Sequence, residues 1–441
     1  MPTVGEIHLR HTAYYLSVLC QIDTLYQQGS DALLRGLALL DLEWLNIQAG
    51  QAWAAAHVED NDVAAQLCSN YPRAGASALN LRRHPRERIR WREAALAAAK
   101  KLKDRRAEAS HLANLGVAHV DLGDTWRAIE YHEQALVIAR EIGERRGEGI
   151  TLSNLGLAYV PLGNIQRAIE CYEQALVVAR EINDRRGEGN VLNNLGGAHA
   201  RLGNADQAIK FYEQALTIAR ELGDRRLEGQ ALNNLGVAYR VLGDAQRAIG
   251  FYEQYLSMTR ETGDRYGEGS VLGNLGNVYI DLGEARRAIE LYAQHLAIAR
   301  EVGDRQGEGR ALGNLGVAYA VLGETHRAIE FYEQYLTIAR ETGYREGEGN
   351  ALGDLGLAYA ALGEPRRAIG FYEQALTIFR EIHARRDEGE ALWNMSQALD
   401  TLGEYAQALA QAKAALDIWK QVQDPRADKV RGQLAKWHGE Q

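Results

Sequence analysis

Apolar and polar positions repeat every 40 residues along most of the chain. In one period, residues 224–242, the apolar positions fall three and four residues apart, as on one face of a helix: Leu227, Ala231, Leu232, Leu235, Gly236, Ala238 and Tyr239. Leu242-Gly243-Asp244 then predicts a stop and a restart, because glycine suits the left-handed turn after a helix and aspartate caps the next helix. A second helix with the same spacing runs to about Thr262. Each period therefore predicts two antiparallel helices.

Three residue types hold fixed columns from about residue 104 to 422, with no insertion or deletion. A leucine column runs from Leu115 to Leu355, a glycine follows each of these leucines, and an alanine column runs from Ala128 to Ala408. The small residues predict two helix backbones that approach each other closely, with Tyr239 and Tyr252 filling the space beside them. Because one pair cannot bury its apolar face alone, we expect each pair to stack on the next.

The motif Leu-Gly-x-x-Tyr, then alanine, then tyrosine four residues on, then alanine or tyrosine three later, resembles the tetratricopeptide repeat (TPR). It looks like the 40-residue form of kinesin light chains and spindle-orientation adaptors. One departure is that leucine replaces the usual first-helix tryptophan: Leu112, Leu152, Leu192, Leu232, Leu272, Leu312, Leu352 and Leu392. The resemblance implies an all-α fold, a right-handed TPR solenoid in which antiparallel helix pairs form a superhelix. It also implies a non-catalytic scaffold or sensor that binds a protein or an extended peptide in its concave groove.

The register divides the chain into four predicted segments. These are an N-terminal helical segment (1–60), a degenerate first repeat (61–103), eight 40-residue units (104–422) and a C-terminal capping helix (423–441). In the first segment we expect a helix over 8–29, a short helix after Asp31 and a third helix that begins at Asp41. In the degenerate repeat we expect a first helix near 62–81 and a second helix with Ile89 and Trp91 turned inward.

The N-terminal part carries a second resemblance. RHTAYYL, LEWLNIQAGQAWA and HPRERIRW resemble the helical link of STAND (NB-ARC-like) regulators, which are signal-transducing ATPases that end in TPR sensor arrays. The chain has no GxxxxGK[ST] motif and no Gly-Lys pair. The alternative to a free-standing scaffold is therefore the sensor portion of such a regulator, which would act on an ATPase domain in cis or in trans.

Composition excludes several classes of function. The net charge of −9 argues against a general nucleic-acid surface, and the apolar runs are too short for a membrane span. The three scattered cysteines (Cys20, Cys68 and Cys171) and the absence of a signal peptide predict free thiols in a reducing cytoplasm. We therefore expect a cytoplasmic protein with no membrane or nucleic-acid partner, no metal and no cofactor.

An asparagine column is the strongest candidate for ligand binding. Its members each precede a Leu-Gly pair or the equivalent position: Asn114, Asn154, Asn194, Asn234, Asn274, Asn314 and, after an interruption by Asp354, Asn394. By resemblance, this position lines the concave groove and grips a peptide main chain, and an amide can both donate and accept a hydrogen bond. The alternative is that each asparagine bonds the neighbouring repeat. We favour peptide contact.

Neighbours on the same predicted face vary from unit to unit, as a specificity surface would. The candidate peptide-binding residues among them are Asn190, Asn193, Asn233, Arg240, Asn277, Arg310 and Asn350. Arg240 and Arg310 would either receive ligand carboxylates or only add solubility. Trp393 would either stack on a ligand or pack against the C-terminal helix.

The remaining motifs favour structural roles. Columns of arginine and glutamate three residues apart, such as Arg265 and Glu268, predict ion pairs between repeats. GEGRALGNLG (307–316) has the glycines of a phosphate loop but lies inside the helical register, so packing is favoured. His119, His199 and His295 read as core fillers, and no catalytic set is found.

Three further hypotheses stay open. The arginine-rich stretch 80–92 would meet nucleic acid or an acidic domain, or form the solvated side of a helix, which we favour. An enzymatic site between the N-terminal helices and the repeats would require hydrolase activity or nucleotide turnover. Docking of one end of the stack on a second copy would give a homo-oligomer.

Overall fold

The computed structural model describes residues 2–27, 30–76, 79, 85–422, 424 and 426–439. The long elements there are 21 α-helices. The first four helices are α1 (Val4–Gln27), α2 (Ser30–Ala56), α3 (Asp62–Ala74) and α4 (Pro85–Lys101). Sixteen helices then form eight antiparallel pairs: α5/α6 (Arg105–Asp121, Thr125–Glu141), α7/α8 (Arg145–Tyr159, Ile165–Glu181), α9/α10 (Arg185–Arg201, Ala205–Leu222), α11/α12 (Arg225–Val241, Ala245–Thr262), α13/α14 (Arg265–Asp281, Ala285–Val302), α15/α16 (Arg305–Val321, Thr325–Thr342), α17/α18 (Arg345–Ala361, Pro365–Glu381) and α19/α20 (Arg385–Thr401, Tyr405–Gln421). The last helix is α21 (Arg426–Gly439).

The chain forms two compact units, unit 1 (1–231) and unit 2 (232–441), and the division falls inside α11. Within each unit the two helices of a pair pack against each other, and the second helix packs against the first helix of the next pair. The first helices of successive pairs also touch, in unit 1 from α5 to α9 and in unit 2 from α13 to α19. These first helices carry the predicted asparagine column.

The glycine column is explained by a close approach to aromatic rings. A Cβ atom on Gly276 would lie 2.3 Å from a ring carbon of Tyr292, on the paired helix, which is closer than real atoms approach. Tyr292 itself is fully buried. The same contact recurs in the other pairs: Gly156 with Tyr172, Gly196 with Tyr212, Gly236 with Tyr252, Gly316 with Tyr332 and Gly356 with Tyr372. The predicted close approach at this column is confirmed.

The turns have the predicted stop-and-cap chemistry. Gly263 ends α12 with a φ of 69°, in the left-handed region that favours glycine. The Asp264 carboxylate then accepts a hydrogen bond from the backbone N–H of Gly267 (2.9 Å) at the start of α13. The end of α12 and the start of α13 are therefore at the positions that the sequence predicts.

The arginine and glutamate columns form ion pairs between repeats, as predicted. The buried Glu268 accepts hydrogen bonds from Arg260 Nε (2.9 Å), which belongs to the preceding pair, and from Arg265. Arg265 also reaches Glu301 at the end of its own second helix (2.5 Å). Burial works against ionisation of Glu268, but its two arginine partners hold its pKa below the ordinary value. The same arrangement surrounds Glu148, Glu188, Glu308 and Glu348.

The N-terminal segment differs from the prediction. One helix, α2, replaces the predicted short helix and the third helix, so the predicted break at Asp41 is wrong. The reason is that the buried positions Leu37, Leu40, Ile47 and Ala54 continue helical spacing past Asp41, which is exposed. The helix predicted over 8–29 begins earlier, at the start of α1, and its predicted end at Gly29 lies outside the described residues.

The degenerate repeat also needs a correction. Helix α3 ends at Ala74 rather than near residue 81. Ile89 and Trp91 of α4 are buried, as predicted, but Arg92 is also buried and Arg88 is half-buried. The prediction of a solvated arginine side is therefore wrong for these two residues, because α4 is covered by both α3 and α5. Arg82 and Arg83 of the same stretch lie outside the described residues.

Arg88 and Arg92 of α4 have different electrostatic surroundings. Arg88 forms an ion pair with Asp121 (2.7 Å) at the end of α5. Burial and the charge of Arg88 lower the pKa of Arg92 to about 10, so Arg92 stays protonated at neutral pH. The α3–α4 region thus contributes both buried apolar side chains and buried charge to unit 1.

Candidate functional site

The first helices of unit 2 enclose a cavity of about 440 Å³, which we call the unit 2 cavity. Four residues from each of α13, α15, α17 and α19 line it: Ser270, Gly273, Asn274, Asn277; Arg310, Gly313, Asn314, Val317; Asn350, Gly353, Asp354, Leu357; and Asp387, Glu390, Ala391, Asn394. The second helices add His295, Tyr335, Tyr372 and Phe379. The volume is in the range of small-ligand and peptide side-chain pockets.

Three members of the asparagine column lie together in this cavity. Asn274, Asn314 and Asn394 are all half-buried. Asn274 Nδ2 donates to Asn233 Oδ1 on the adjacent first helix (2.8 Å), which is the inter-repeat bond named as the alternative. Asn314 and Asn394 form no hydrogen bond with any described residue, so both of their amides remain available to a ligand.

The variable candidates in unit 2 divide into lining and non-lining residues. Asn277, Arg310 and Asn350 line the cavity. Asn277 accepts a hydrogen bond from Tyr292 Oη (2.7 Å), and Arg310 is exposed, with its closest carboxylate, Asp304, 4.0 Å away. Arg240 does not line the cavity, and its guanidinium forms an ion pair with Asp281 at 2.5 Å.

Unit 1 has its own cavity on the first-helix side, of about 460 Å³, which we call the unit 1 cavity. Asn114 and Asn154 line it. Asn114 Nδ2 donates to the Ser110 carbonyl of its own helix (2.8 Å). Asn190 lines a smaller neighbouring space of about 150 Å³ and accepts a weak hydrogen bond from Arg226 (3.4 Å). The remaining predicted residues, Asn193, Asn194, Asn233 and Asn234, do not line these cavities.

The acidic residues of the unit 2 cavity are not among the ligand-binding residues that the sequence predicts. Asp354 is half-buried and forms no ion pair or hydrogen bond with a described residue. Burial, together with the nearby Glu390 carboxylate, raises the pKa of Asp354 to about 7. Burial and the neighbouring Glu390 and Glu346 also raise the pKa of Asp387. Glu390 is paired with Arg426 of α21 (2.7 Å). The one sequence signal was the aspartate that interrupts the asparagine column.

Glycines keep the unit 2 cavity open. Gly273, Gly313 and Gly353 stand just before the asparagine column and line the cavity. A Cβ on Gly313 would lie 3.1 Å from the ring of Tyr335, whereas a Cβ on Gly353 would meet no atom within 4 Å. The open space at Gly353 lies on the same helix face as the unpaired Asp354.

The other candidate residues have structural environments. His295 is buried, and its Nδ1 has no hydrogen-bond partner. Burial and the nearby Arg310 lower the pKa of His295 to about 4, so it is neutral at pH 7. His119 and His199 stack on Tyr131 and Phe211, as expected of core fillers. Trp393 is partly buried and packs against the hydrophobic core cluster that extends from Leu312 to Leu434.

The glycine-rich stretch 307–316 lies entirely within helix α15, so the packing interpretation holds there. Among the described side chains, no group of three His, Cys, Asp or Glu residues is arranged to hold a metal ion. None of the helices formed by the described residues combines the length and apolar character that a bilayer span requires.

Comparison with known families gives a consistent match to the repeats. A tetratricopeptide repeat family model matches residues 127–181, 147–221, 187–261, 267–341 and 347–421. A second tetratricopeptide repeat model matches residues 109–142. Together these ranges span well over half of the chain. No curated protein sequence gives a significant match.

Solved structures share the fold at low sequence identity. A STAND protein with a tetratricopeptide repeat sensor from Pyrococcus horikoshii is 14% identical with a TM-score of 0.57, covering 98% of this chain and 68% of its own. A Rap protein in complex with the Competence and Sporulation Factor is 14% identical with a TM-score of 0.54, covering 86% and 100%. A putative kinesin light chain from Podosopora anserina is 21% identical with a TM-score of 0.39, covering 45% and 97%. A STAND protein, one of the two kinds of protein that the motifs resemble, is thus among the structures with a similar fold.

Proposed function

The chain belongs to the tetratricopeptide repeat family, with the predicted all-α solenoid fold, and from this premise we propose that it is a sensor or scaffold that binds an extended peptide segment along its first helices. The observation that carries the proposal is the unit 2 cavity. It presents the amides of Asn314 and Asn394, half-buried and without partners among the described residues, on the face where successive first helices meet.

The spacing of the column suits an extended main chain. Packed helices lie about 8–10 Å apart, and an extended peptide rises about 3.3 Å per residue. Successive asparagines of the column would therefore meet about every third residue of the peptide. Each amide donates to a carbonyl and accepts from an N–H, which recognises the main chain without demanding a particular side chain. The variable residues Arg310 and Asn350 would then select side chains.

The similar structures support a sensing role. The Rap structure was solved with a factor bound, and the STAND protein is described as having a repeat sensor. Neither likeness identifies the ligand of this chain. Both support the proposal that its repeats recognise a signal-bearing segment rather than transform a substrate.

The test compares two sets of amides in the full chain. One variant changes Asn274, Asn314 and Asn394 to alanine. The matched control changes Gln294, Gln334 and Gln374, three exposed amides at the same 40-residue spacing on second helices. A library of biotinylated octapeptides is the probe, and circular dichroism checks folding. We expect the asparagine variant to bind the selected octapeptides at least tenfold more weakly than wild type and control. Equal binding by all three proteins would move the site away from this face.

A second candidate is the sensor portion of a STAND-type regulator. The N-terminal motifs lie on α1, α2 and α4, which join α3 in one packed group, and the STAND structure covers 98% of the chain. In this reading the chain changes the activity of an ATPase domain in cis or in trans. The test identifies a P-loop ATPase encoded in a neighbouring reading frame, adds the purified chain to it and measures phosphate release. A severalfold change supports the candidate, and an unchanged rate without complex formation contradicts it.

A further inference from the structure

We propose that the unit 2 cavity holds a positively charged group of the bound peptide, an arginine or lysine side chain, with Asp354 as its counter-ion. This inference rests on the proposed function and specifies the ligand chemistry of the same site. It assigns a role to the one position at which the asparagine column is interrupted.

The first observation is that the cavity carboxylates lack the partners found elsewhere. The column glutamates such as Glu308 and Glu348 each receive two arginines. Asp354 and Asp387, by contrast, form no ion pair with any described residue. A half-buried carboxylate without a cation is costly, and a ligand cation would offset that cost.

The second observation is a buried polar side chain without a partner in the same cavity wall. His295 is only 6% exposed, and the structure gives its ring no hydrogen bond with a described residue. Buried polar groups in native proteins are normally satisfied. His295 lines the same cavity, and the Nδ1 atom of its ring is left without a hydrogen-bond partner that would compete with a polar ligand.

The charges around Asp354 favour a cation. From α19 it faces the carboxyl group of Glu390, and from the second helices α16 and α18 it faces the uncharged phenols of Tyr332, Tyr335 and Tyr372. Arg310 of α15 is the one cationic lining residue of this cavity, and its closest carboxylate is Asp304. Of the three carboxyl groups in the lining, Glu390 is paired with Arg426, so two unpaired carboxyl groups stand against one guanidinium and the lining is negative.

The shape of the cavity fits a long basic side chain. The empty space at Gly353 adjoins Asp354, and Leu357 and Val317 add apolar surface to the lining. Arginine and lysine bury an aliphatic stem against apolar groups while the charged end reaches a carboxylate. A small polar ligand would leave this apolar surface unused.

The test uses acetylated and amidated hexapeptides, so that the termini carry no charge. Each position is scanned with arginine, lysine, citrulline, norleucine and glutamate. The proteins are the full-length wild type, Asp354→Asn, which restores the asparagine column, and Asp417→Asn, which removes an exposed carboxylate of α20 outside the cavity. Circular dichroism verifies that each protein is folded.

We expect wild type and Asp417→Asn to prefer arginine or lysine over citrulline and norleucine by about tenfold at one position. Asp354→Asn should lose that preference and keep the remaining binding. Wild-type affinity for the basic hexapeptide should also rise several-fold from pH 6 to pH 8, as Asp354 ionises, and the Asn variant should show no such rise. The reverse variant Asp354→Arg should prefer glutamate at that position.

The contrary outcomes are distinct. Hexapeptide binding by wild type with no preference for a basic residue overturns this inference and leaves the proposed function standing. The same holds if the preference survives in Asp354→Asn. If wild type binds no hexapeptide and no octapeptide, the proposed function and the inference both fail.

Discussion

The two cavities have nearly the same volume, about 460 Å³ in unit 1 and about 440 Å³ in unit 2, yet opposite charge. Both lie among first helices and both are lined by members of the asparagine column. The unit 1 cavity is lined by three arginines (Arg73, Arg106 and Arg146) and two acids (Asp104 and Glu144). The unit 2 cavity has one arginine and three carboxyl groups. The repeat therefore determines the frame, while the positions outside its columns determine the charge that a ligand meets.

The carboxylates that line the two cavities also differ in their hydrogen-bond partners. In unit 1, Asp104 and Glu144 cap the starts of α5 and α7 by accepting backbone N–H groups. Glu144 also lies 3.9 Å from Arg106. Both carboxylates therefore already have partners within the protein. In unit 2, Asp354 lies in the middle of α17 and caps nothing, so its carboxyl group is left for a ligand.

The largest effect on the free energy of unfolding should come from the glycine–tyrosine contact that helix pairs of both units share. Tyr172 in unit 1 and Tyr252 in unit 2 are fully buried against Gly156 and Gly236. Changing either tyrosine to alanine leaves a cavity in the core and should lower the free energy of unfolding by about 3–5 kcal/mol. Urea denaturation followed by circular dichroism measures this. The phenylalanine variants are controls and should lose far less, and a unit that tolerates alanine would contradict a shared frame.

The ion-pair columns should give the next largest effect, again in both units. Glu188→Gln and Glu268→Gln each weaken two charge-assisted hydrogen bonds, so we expect losses of about 2–3 kcal/mol at pH 7. The arginine partners hold both pKa values below the ordinary value of 4.5. This stabilisation is therefore present above that value and is lost as the pH falls through the lowered pKa. The difference between wild type and variants should therefore shrink as the pH falls through the lowered pKa, and a difference that does not change with pH would indicate packing instead.

A third effect, the pH dependence of stability that Asp354 causes, should be found in unit 2 and not in unit 1. The pKa of Asp354 is raised from 3.8 to about 7, so its neutral form stabilises the fold below the ordinary value, and that contribution is lost as the pH rises through about 7. Asp354→Asn should thus gain about 1–2 kcal/mol at pH 8, less than the full linkage value because the side chain is only half-buried. At pH 4 it should gain almost nothing.

The unit 1 counterpart sharpens this comparison. Asn154→Asp places a carboxylate in the cavity lined by three arginines, so it should cost less than about 0.5 kcal/mol at pH 8. Thermal unfolding at the two pH values measures both variants. A penalty at residue 154 as large as the gain at residue 354 would show that the charge of the two cavities does not govern the ionisation of this column.

Local and nonlocal features differ in how far the sequence could predict them. Helix pairs, caps and the glycine–tyrosine contact follow from a 40-residue period, because each depends on residues within one or two helices. The single helix α2 was missed because Asp41 was read as a cap, although the apolar spacing of Leu37, Leu40 and Ile47 continues through it. There the continuous buried stripe prevails over the local capping preference.

The site was only partly predictable. The asparagine column placed Asn274, Asn314 and Asn394 on one face, but the choice between inter-repeat bonding and availability needed coordinates: Asn274 bonds Asn233, whereas Asn314 is unpartnered among the described residues. The acidic lining combines Asp354 with Asp387 and Glu390 from a different row of the next first helix. No single column contains all three, so only the stacking of α17 on α19 brings them together.

The smallest effect concerns the room beside Asp354. Gly353 lies inside a helix, where glycine costs about 0.5–1 kcal/mol relative to alanine, and an added Cβ would meet no neighbour. Gly353→Ala should therefore stabilise the protein by about that amount in thermal unfolding. One of the equivalent unit 1 residues, Ala113 in the unit 1 cavity, is already alanine, so Ala113→Gly should cost a similar amount. The bulkier Gly353→Leu would fill the space and should weaken binding of the basic hexapeptide at least tenfold. If Gly353→Leu binds as wild type does, the basic side chain does not lie beside Asp354, and the glycine is not retained to make room for it.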